Sequence, residues 1–231
     1  MHIERFGDGD RDLLLVLGWG NRLGHPTVRW LVEQGVEAGY RVHGFQIPTV
    51  VTDFERDWVR PVATTVDALD EYRLLTHSTG GLIGEFLNGA TETVHCSPWW
   101  GFHGDLETPL VEWAMKLPVS TPLLPSAFGR EELGTLVTDE RLADGPKRAA
   151  PTFLREARRA QRRLPAFDDE TTSVFYTPTD AVVSATAIEE RTPARNRVAF
   201  EGGHELFSSP SRETHVGTVF DALAEGPSAL W

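Results

Sequence analysis

Cysteine is almost missing: Cys96 is the only one in 231 residues. That excludes an intramolecular disulfide and a thiolate metal site. Within the apolar run "TVHCSP", Cys96 reads as a small buried hydrophobe rather than a nucleophile. Lysine is nearly absent too, with Lys116 and Lys147 the only two beside a majority of arginines. Acidic residues outnumber basic ones 34 to 22, a net charge of -12. This is the wrong sign for a nucleic-acid partner, whose phosphates need basic side chains. No stretch approaches the roughly 18–20 apolar residues of a membrane span, so stable membrane insertion is not expected. The first residues, "MHIERFGDGDRD", are charged and lack the apolar core of a secretory signal, so a soluble cytoplasmic protein is expected. His25, His43, His95 and His103 show no ligand spacing such as H-x-x-x-H, and neither a metal nor a cofactor is implied. Nothing in the sequence speaks to oligomeric state.

The hydrophobic content of 40% and aromatic content of 10% are those of an ordinary globular chain. Its length suits one sizeable α/β domain or two small ones. Short β-type runs cover His2–Phe6, Leu13–Gly18, Arg41–Ile47, Arg73–His77, Thr93–Ser97, Ser173–Thr177 and Arg197–Phe200. Most are continuous apolar runs, as expected of strands covered on both faces. Between them lie helix signals: "PTVRWLVEQGVEAG" with Pro26 at its start, "TGGLIGEFLNG", and "SRETHVGTVFDALAEG". The alternation predicts an α/β fold, a mostly parallel sheet with helices on both faces. Residues 99–169 break this rhythm and carry no convincing strand. They are read as a helical cap or lid inserted into a core made of 1–98 and 170–231. The last helix of the cap, "PTFLREARRAQRRLP", sets Leu154, Ala157, Gln161 and Leu164 near one face. Its arginines fall on the others, as a solvated charged face or an anion- or membrane-surface patch.

"YRLLTHSTGGLIG" is an apolar run that meets a serine and two glycines before another apolar run. Ser78 on a strand-to-helix turn, with small neighbours two residues to either side, has the form of a nucleophile elbow. The requirement is steric: the turn must lift Oγ clear of the sheet while strand and helix approach closely. A serine before glycines can equally be a helix cap. Thr76 takes the place of the first glycine of G-x-S-x-G. It predicts a more crowded elbow with its side chain turned away from the facing helix, and glycine should be tolerated there. His77 is expected to support the turn rather than move a proton.

A nucleophilic serine needs a base and an acid to orient it. Asp180 follows "SVFYTP" and His204 closes "RVAFEGGH", both just past strand ends. The carboxyl ends of a parallel sheet share one edge, so three loops can bring Ser78, Asp180 and His204 together. Asp105 is the reserve acid. The Trp19 backbone N–H in "LLLVLGWGN" and the Thr79 N–H after the serine are placed to form an oxyanion hole, each donor worth roughly 3–4 kcal/mol in acyl transfer. "GWGNRLG" also loosely mimics a dinucleotide fingerprint. However, the helix starts too late, at Pro26, and "RVHGFQIP" has no acidic residue for a ribose. Trp99, Trp100 and Phe102 at a strand end, with Leu110, Trp113, Ala114 and Leu117 at helical spacing, are either core or the wall of an apolar substrate pocket.

"GWGN", "HSTGG", "TPTDAVV" and "GGHEL" together resemble the α/β-hydrolase superfamily along essentially the whole chain, in the order Ser, Asp, His. The histidine region is especially similar to the monoacylglycerol lipase and lysophospholipase-like branch, and "P-x-D-x-V-V" around Asp180 is similar to its acid. The resemblance implies serine ester hydrolysis of a small-molecule substrate under a variable cap. Leu17 departs from it by replacing the histidine of the usual oxyanion motif, and the leading antiparallel strands are one short. A thioesterase or amidase using the same triad, and a binding protein with little turnover, remain open on these residues.

Overall fold

All seven apolar runs fold as strands, and their order explains the covered faces. The computed structural model describes residues 1–231. The strands of the main sheet are β1 (His2–Phe6), β2 (Arg11–Val16), β3 (Tyr40–Gln46), β4 (Tyr72–His77), β5 (Ala90–Cys96), β8 (Thr172–Tyr176) and β9 (Arg197–Ala199). They lie in the order β1-β3-β2-β4-β5-β8-β9. Every neighbouring pair is parallel except β1 with β3.

Side chains alternate across a strand, so each apolar run feeds two cores. Leu14, Val16, Leu74 and Val174 point to one face. There they meet α2 (Arg60–Val66), α3 (Thr79–Gly84), α7 (Pro151–Gln161) and α8 (Ala185–Arg191). Leu13, Leu15, Leu75 and Phe175 point to the other, under α1 (Pro26–Glu37) and α9 (Arg212–Glu225). Full burial of one such side chain contributes about 1.5–3 kcal/mol. The edge strand β1 is mostly exposed and carries charged residues, which blunts it against further pairing. No helix is long and apolar enough to cross a membrane.

The insertion between β5 and β8 holds α4 (Pro109–Ala114), α5 (Arg130–Leu133), α6 (Asp139–Asp144) and α7. It also contains a two-stranded ribbon that the sequence did not announce, β6 (Leu124–Pro125) antiparallel to β7 (Arg148–Ala149). Each strand is two residues long and β6 ends in proline, too short for periodicity to show. The arginines of α7 are occupied by ion pairs: Arg155 and Arg159 with Glu156, and Arg158 with Glu107. Phe153, Leu154, Ala157 and Ala160 of the same helix are buried.

Candidate active site

The parallel strands end on one edge, and the candidate residues gather there. Ser78 follows β4 directly with φ 53° and ψ -117°, in a region that non-glycine residues rarely adopt. Such a conformation costs about 1–3 kcal/mol and persists only where its surroundings hold it. Here its N–H donates to the Cys96 carbonyl at 3.0 Å, and its carbonyl accepts from the Gly81 and Trp99 amides, both at 2.9 Å. The helix behind the turn approaches β2 so closely that a Cβ on Gly80 would sit 2.0 Å from the Val16 carbonyl oxygen.

His204 Nδ1 lies 2.8 Å from Asp180 Oδ2. Asp180 Oδ1 accepts from the Val182 and Val183 amides at 2.8 and 2.9 Å. Burial alone would raise the Asp180 carboxyl. The facing His204 and these two amides outweigh it and hold Asp180 below the ordinary carboxylate range. With Nδ1–H committed to the carboxylate, His204 Nε2 is left as a proton acceptor and has no partner. No hydrogen bond joins it to Ser78 Oγ; in a free enzyme this contact often tightens only when substrate is bound.

Ser78, Thr79, Trp19 and His204 line one cavity of about 500 Å³, together with residues of the segment between β5 and β8 such as Leu106, Phe128 and Arg141. That volume falls in the range of small-molecule sites. Neither the Trp19 nor the Thr79 amide donates to a backbone carbonyl outside the regular elements, and Thr79 as first residue of α3 has no carbonyl within its helix to reach. The Trp19 indole donates to the Thr49 carbonyl at 3.0 Å and stacks on Phe153 at 4.5 Å, which fixes the loop. Gly20 adopts φ 85°, while Gly18 is needed for room: a Cβ there would stand 2.7 Å from His77 Nδ1 and 2.9 Å from Ser78 Cβ.

His77 is fully enclosed beside the pair, its ring 4.7 Å from that of His204 and edge-on to Phe207. Burial, and then the neighbouring His204, push it down to about 3, so it is neutral at ordinary pH. Cys96 is buried and its thiol pushed up to about 12, which makes it inert.

Several expectations need correction. Of the aromatic wall, only Trp99 lines the cavity. Phe102 stands behind it, stacked at 5.2 Å, with Arg158 over its ring. Trp100 packs edge-on against His95 and under Arg191, away from the opening. Trp113 is 59% exposed because α4 turns that side of its short helix outward. Leu117 lies beyond the end of α4 and is also outside the cavity. Leu110, as expected, lines the cavity, and Val111, Leu124, Phe128, Leu133 and Leu154 supply the rest of the apolar wall. Asp105 is on the rim of the cavity, its side chain 92% exposed and 3.4 Å from His103 Nδ1, while Asp180 is the carboxylate bonded to His204.

Thr76 points toward α3, not away from it. Its methyl and hydroxyl groups lie 3.1 and 3.3 Å from where Cβ atoms on Gly84 and Gly81 would be. Those glycines make the room, and the hydroxyl sits 2.6 Å from His95 Nδ1. His95 Nε2 in turn lies 3.3 Å from Glu85, which pairs with Arg191.

Three residues of the site escaped the sequence. Glu205 Oε1 accepts from Asn21 Nδ2 at 2.9 Å and Arg141 Nη2 at 3.0 Å, and its Oε2 accepts from Ser208 Oγ at 2.7 Å. Burial would raise this carboxyl; Arg141, with the Ser208 and Asn21 hydrogen bonds, holds it low. Glu205 was visible in "GGHEL" and Asn21 in "GWGN". A loop glutamate and a helix arginine both read as solvated until the fold encloses them.

The sheet order, the strained serine at the end of β4, and the acid and histidine loops after β8 and β9 define the α/β-hydrolase fold. The solved structures it resembles carry that fold at low identity. A monoacylglycerol lipase from Paleococcus ferrophilus is 18% identical with a TM-score of 0.78, over 96% of this chain and 98% of that one. A soluble variant of monoglyceride lipase from Saccharomyces cerevisiae, in complex with a substrate analogue, is 13% identical with a TM-score of 0.75, over 97% and 91%. An esterase from Exiguobacterium antarcticum is 16% identical with a TM-score of 0.69, over 97% and 95%. No protein-family model and no curated protein matches the chain.

Proposed function

We propose that the protein is a serine hydrolase that cleaves carboxylic esters with an apolar acyl or alcohol part. The observation that carries this reading is the strained Ser78 turn, which faces the same cavity as a histidine held by a buried carboxylate. That the similar solved structures are lipases and an esterase supports it.

Ser78 Oγ attacks the ester carbonyl carbon and gives its proton to His204 Nε2. Asp180 keeps the ring in the required tautomer and stabilises the imidazolium that forms. The negative charge that develops on the carbonyl oxygen is met by the Trp19 and Thr79 amides. The C–O bond breaks, and the alcohol leaves with the proton from Nε2. Water, deprotonated by the same nitrogen, then releases the carboxylic acid and restores Ser78. The cavity above the serine is mostly apolar, which favours an apolar substituent on at least one side of the ester.

A fluorophosphonate probe tests the reading. Wild type is expected to be labelled and Ser78→Ala not. A folded wild type that resists labelling refutes the hydrolase assignment and leaves the ligand-binding alternative. A series of p-nitrophenyl esters of rising chain length tests the apolar cavity, since kcat/KM that does not change along the series contradicts it.

A further inference from the structure

The cap is bonded to the two catalytic loops rather than resting over them. Along the histidine loop, the His204 N–H donates to the Glu132 carbonyl, the Glu205 N–H to that of Leu133, and the Leu136 N–H to that of Ser208, all at 2.8 Å. The two backbones run so close that a Cβ on Gly203 would stand 2.5 Å from the Gly134 nitrogen. Along the oxyanion loop, a Cβ on Gly20 would meet Pro146 Cδ at 2.4 Å, and Arg22 pairs with Asp144 at 2.5 Å. Between these contacts stands the buried Glu205 carboxylate. One of its oxygens holds both Arg141 from the cap and Asn21 from the oxyanion loop.

Building on the hydrolase reading, we propose that the cap stretch from Arg130 to Pro146 is a brace that sets both catalytic loops, with Arg141 and Glu205 as its positioning residues. Arg141 and Glu205 are both buried, so separating them strands two charges away from water. The cap is therefore strongly held in one seat. In that seat a single carboxylate fixes the residue after His204 and the residue two after Trp19. An acyl-transfer site depends on such placement, because a misplacement of about 1 Å can cost about 100-fold in rate. A cap acting only as a gate would have no need of bonds to the His204 backbone.

The charged and titratable groups around this pair are Asp180, His204 and His77 from the sheet edge, and His25, Arg22 and Asp144 beside Asn21. None of them replaces Arg141 as a donor to Glu205 Oε1; Asn21 is the only other side chain bonded to that oxygen.

The test uses Arg141→Met, Arg141→Lys and the double variant Arg141→Met with Glu205→Gln, assayed on a p-nitrophenyl ester. Arg141→Met is expected to lower kcat about 10- to 100-fold, with KM changed less than about 3-fold. Arg141→Lys, which keeps one charged donor, is expected to restore part of the loss. The double variant removes both charges, so its unfolding midpoint should recover while kcat stays low. If kcat returns together with stability, the pair is merely structural and the proposal is overturned.

Amide hydrogen exchange supplies a readout that needs no turnover. Peptides covering the oxyanion loop and residues 203–209 are expected to exchange faster in Arg141→Met, with β1 unchanged. If Arg141→Met does not fold, the same acceleration is expected at smaller size in Arg141→Lys. Exchange unchanged in both loops overturns the brace. Failure of wild type to label with the fluorophosphonate overturns the hydrolase reading and leaves the exchange result to judge the brace alone.

Discussion

Gly80→Ala is the sharpest perturbation of the elbow, because its effect can be worked from one distance. The added Cβ would lie 2.0 Å from the Val16 carbonyl oxygen, whereas real Cβ contacts stay above 3.0 Å. Strand and helix must therefore separate locally by about 1 Å, and both partners are backbone, which cannot rotate away. The displaced stretch carries Ser78 and the Thr79 amide on one side and leads into the Trp19 loop on the other. A shift of this size is expected to lower kcat/KM about 100-fold, equivalent to about 2.7 kcal/mol of transition-state stabilisation. Overpacking should also cost about 1–3 kcal/mol of stability. Esterase kinetics and urea unfolding measure the two losses. Gly24→Ala is the control, since nothing lies within 4 Å of its added methyl group. A folded Gly80→Ala protein with wild-type kcat/KM would refute the account of the elbow.

Three other outcomes follow from the same geometry. Asp180→Asn turns an amide toward three donors and is expected to lower kcat about 1,000- to 10,000-fold while the fold persists, as circular dichroism can check. Thr76→Gly removes the partner of His95 Nδ1 and should lose about 1–3 kcal/mol in urea unfolding, against the tolerance expected from the motif alone. A loss near zero would show that the Thr76–His95 bond does not matter. His77 and His25 are held down to about 3 and 4 chiefly by burial, against 6.5 in an unfolded chain. The unfolded chain therefore binds protons first as pH falls below 6.5, and stability should drop from there toward pH 4, by up to about 1.4 kcal/mol per pH unit for each histidine. Asp180 and Glu205, both depressed, extend the loss to lower pH, from their ordinary values down through their folded ones. Urea midpoints that stay level between pH 7 and 4.5 would contradict the burial of both rings.

The strands were legible because a parallel sheet writes itself as unbroken apolar runs: Leu13 to Leu17 serve both cores at once. Ser78, Asp180 and His204 were legible because each follows such a run, and parallel strands bring their carboxyl ends to one edge. The cap was harder. Its helices α4, α5 and α6 are short, so spacing alone could not say which side of α4 faces the cavity, and Trp113 was placed on the wrong one. Thr76 failed for a different reason. Its orientation depends on His95, a partner in the neighbouring strand β5 that no local pattern connects to it. Glu205 and Arg141 are paired across two segments of the chain, and burial is what gives that pairing its importance.

The order of the elements along the chain also sets a timetable for synthesis. Ser78 is made early, just after β4, while Asp180 and His204 follow β8 and β9, after the whole insertion between β5 and β8 has been translated. At about 5–20 residues per second, His204 emerges about 6–25 s after Ser78. Over the same interval Leu75 and Val94 lack their cover, because Val219, Ala222 and Leu223 of α9 come later still. The nascent chain thus carries an apolar half-sheet longest at β4, the strand that leads into the Ser78 turn. Its protection from aggregation arrives only with α9.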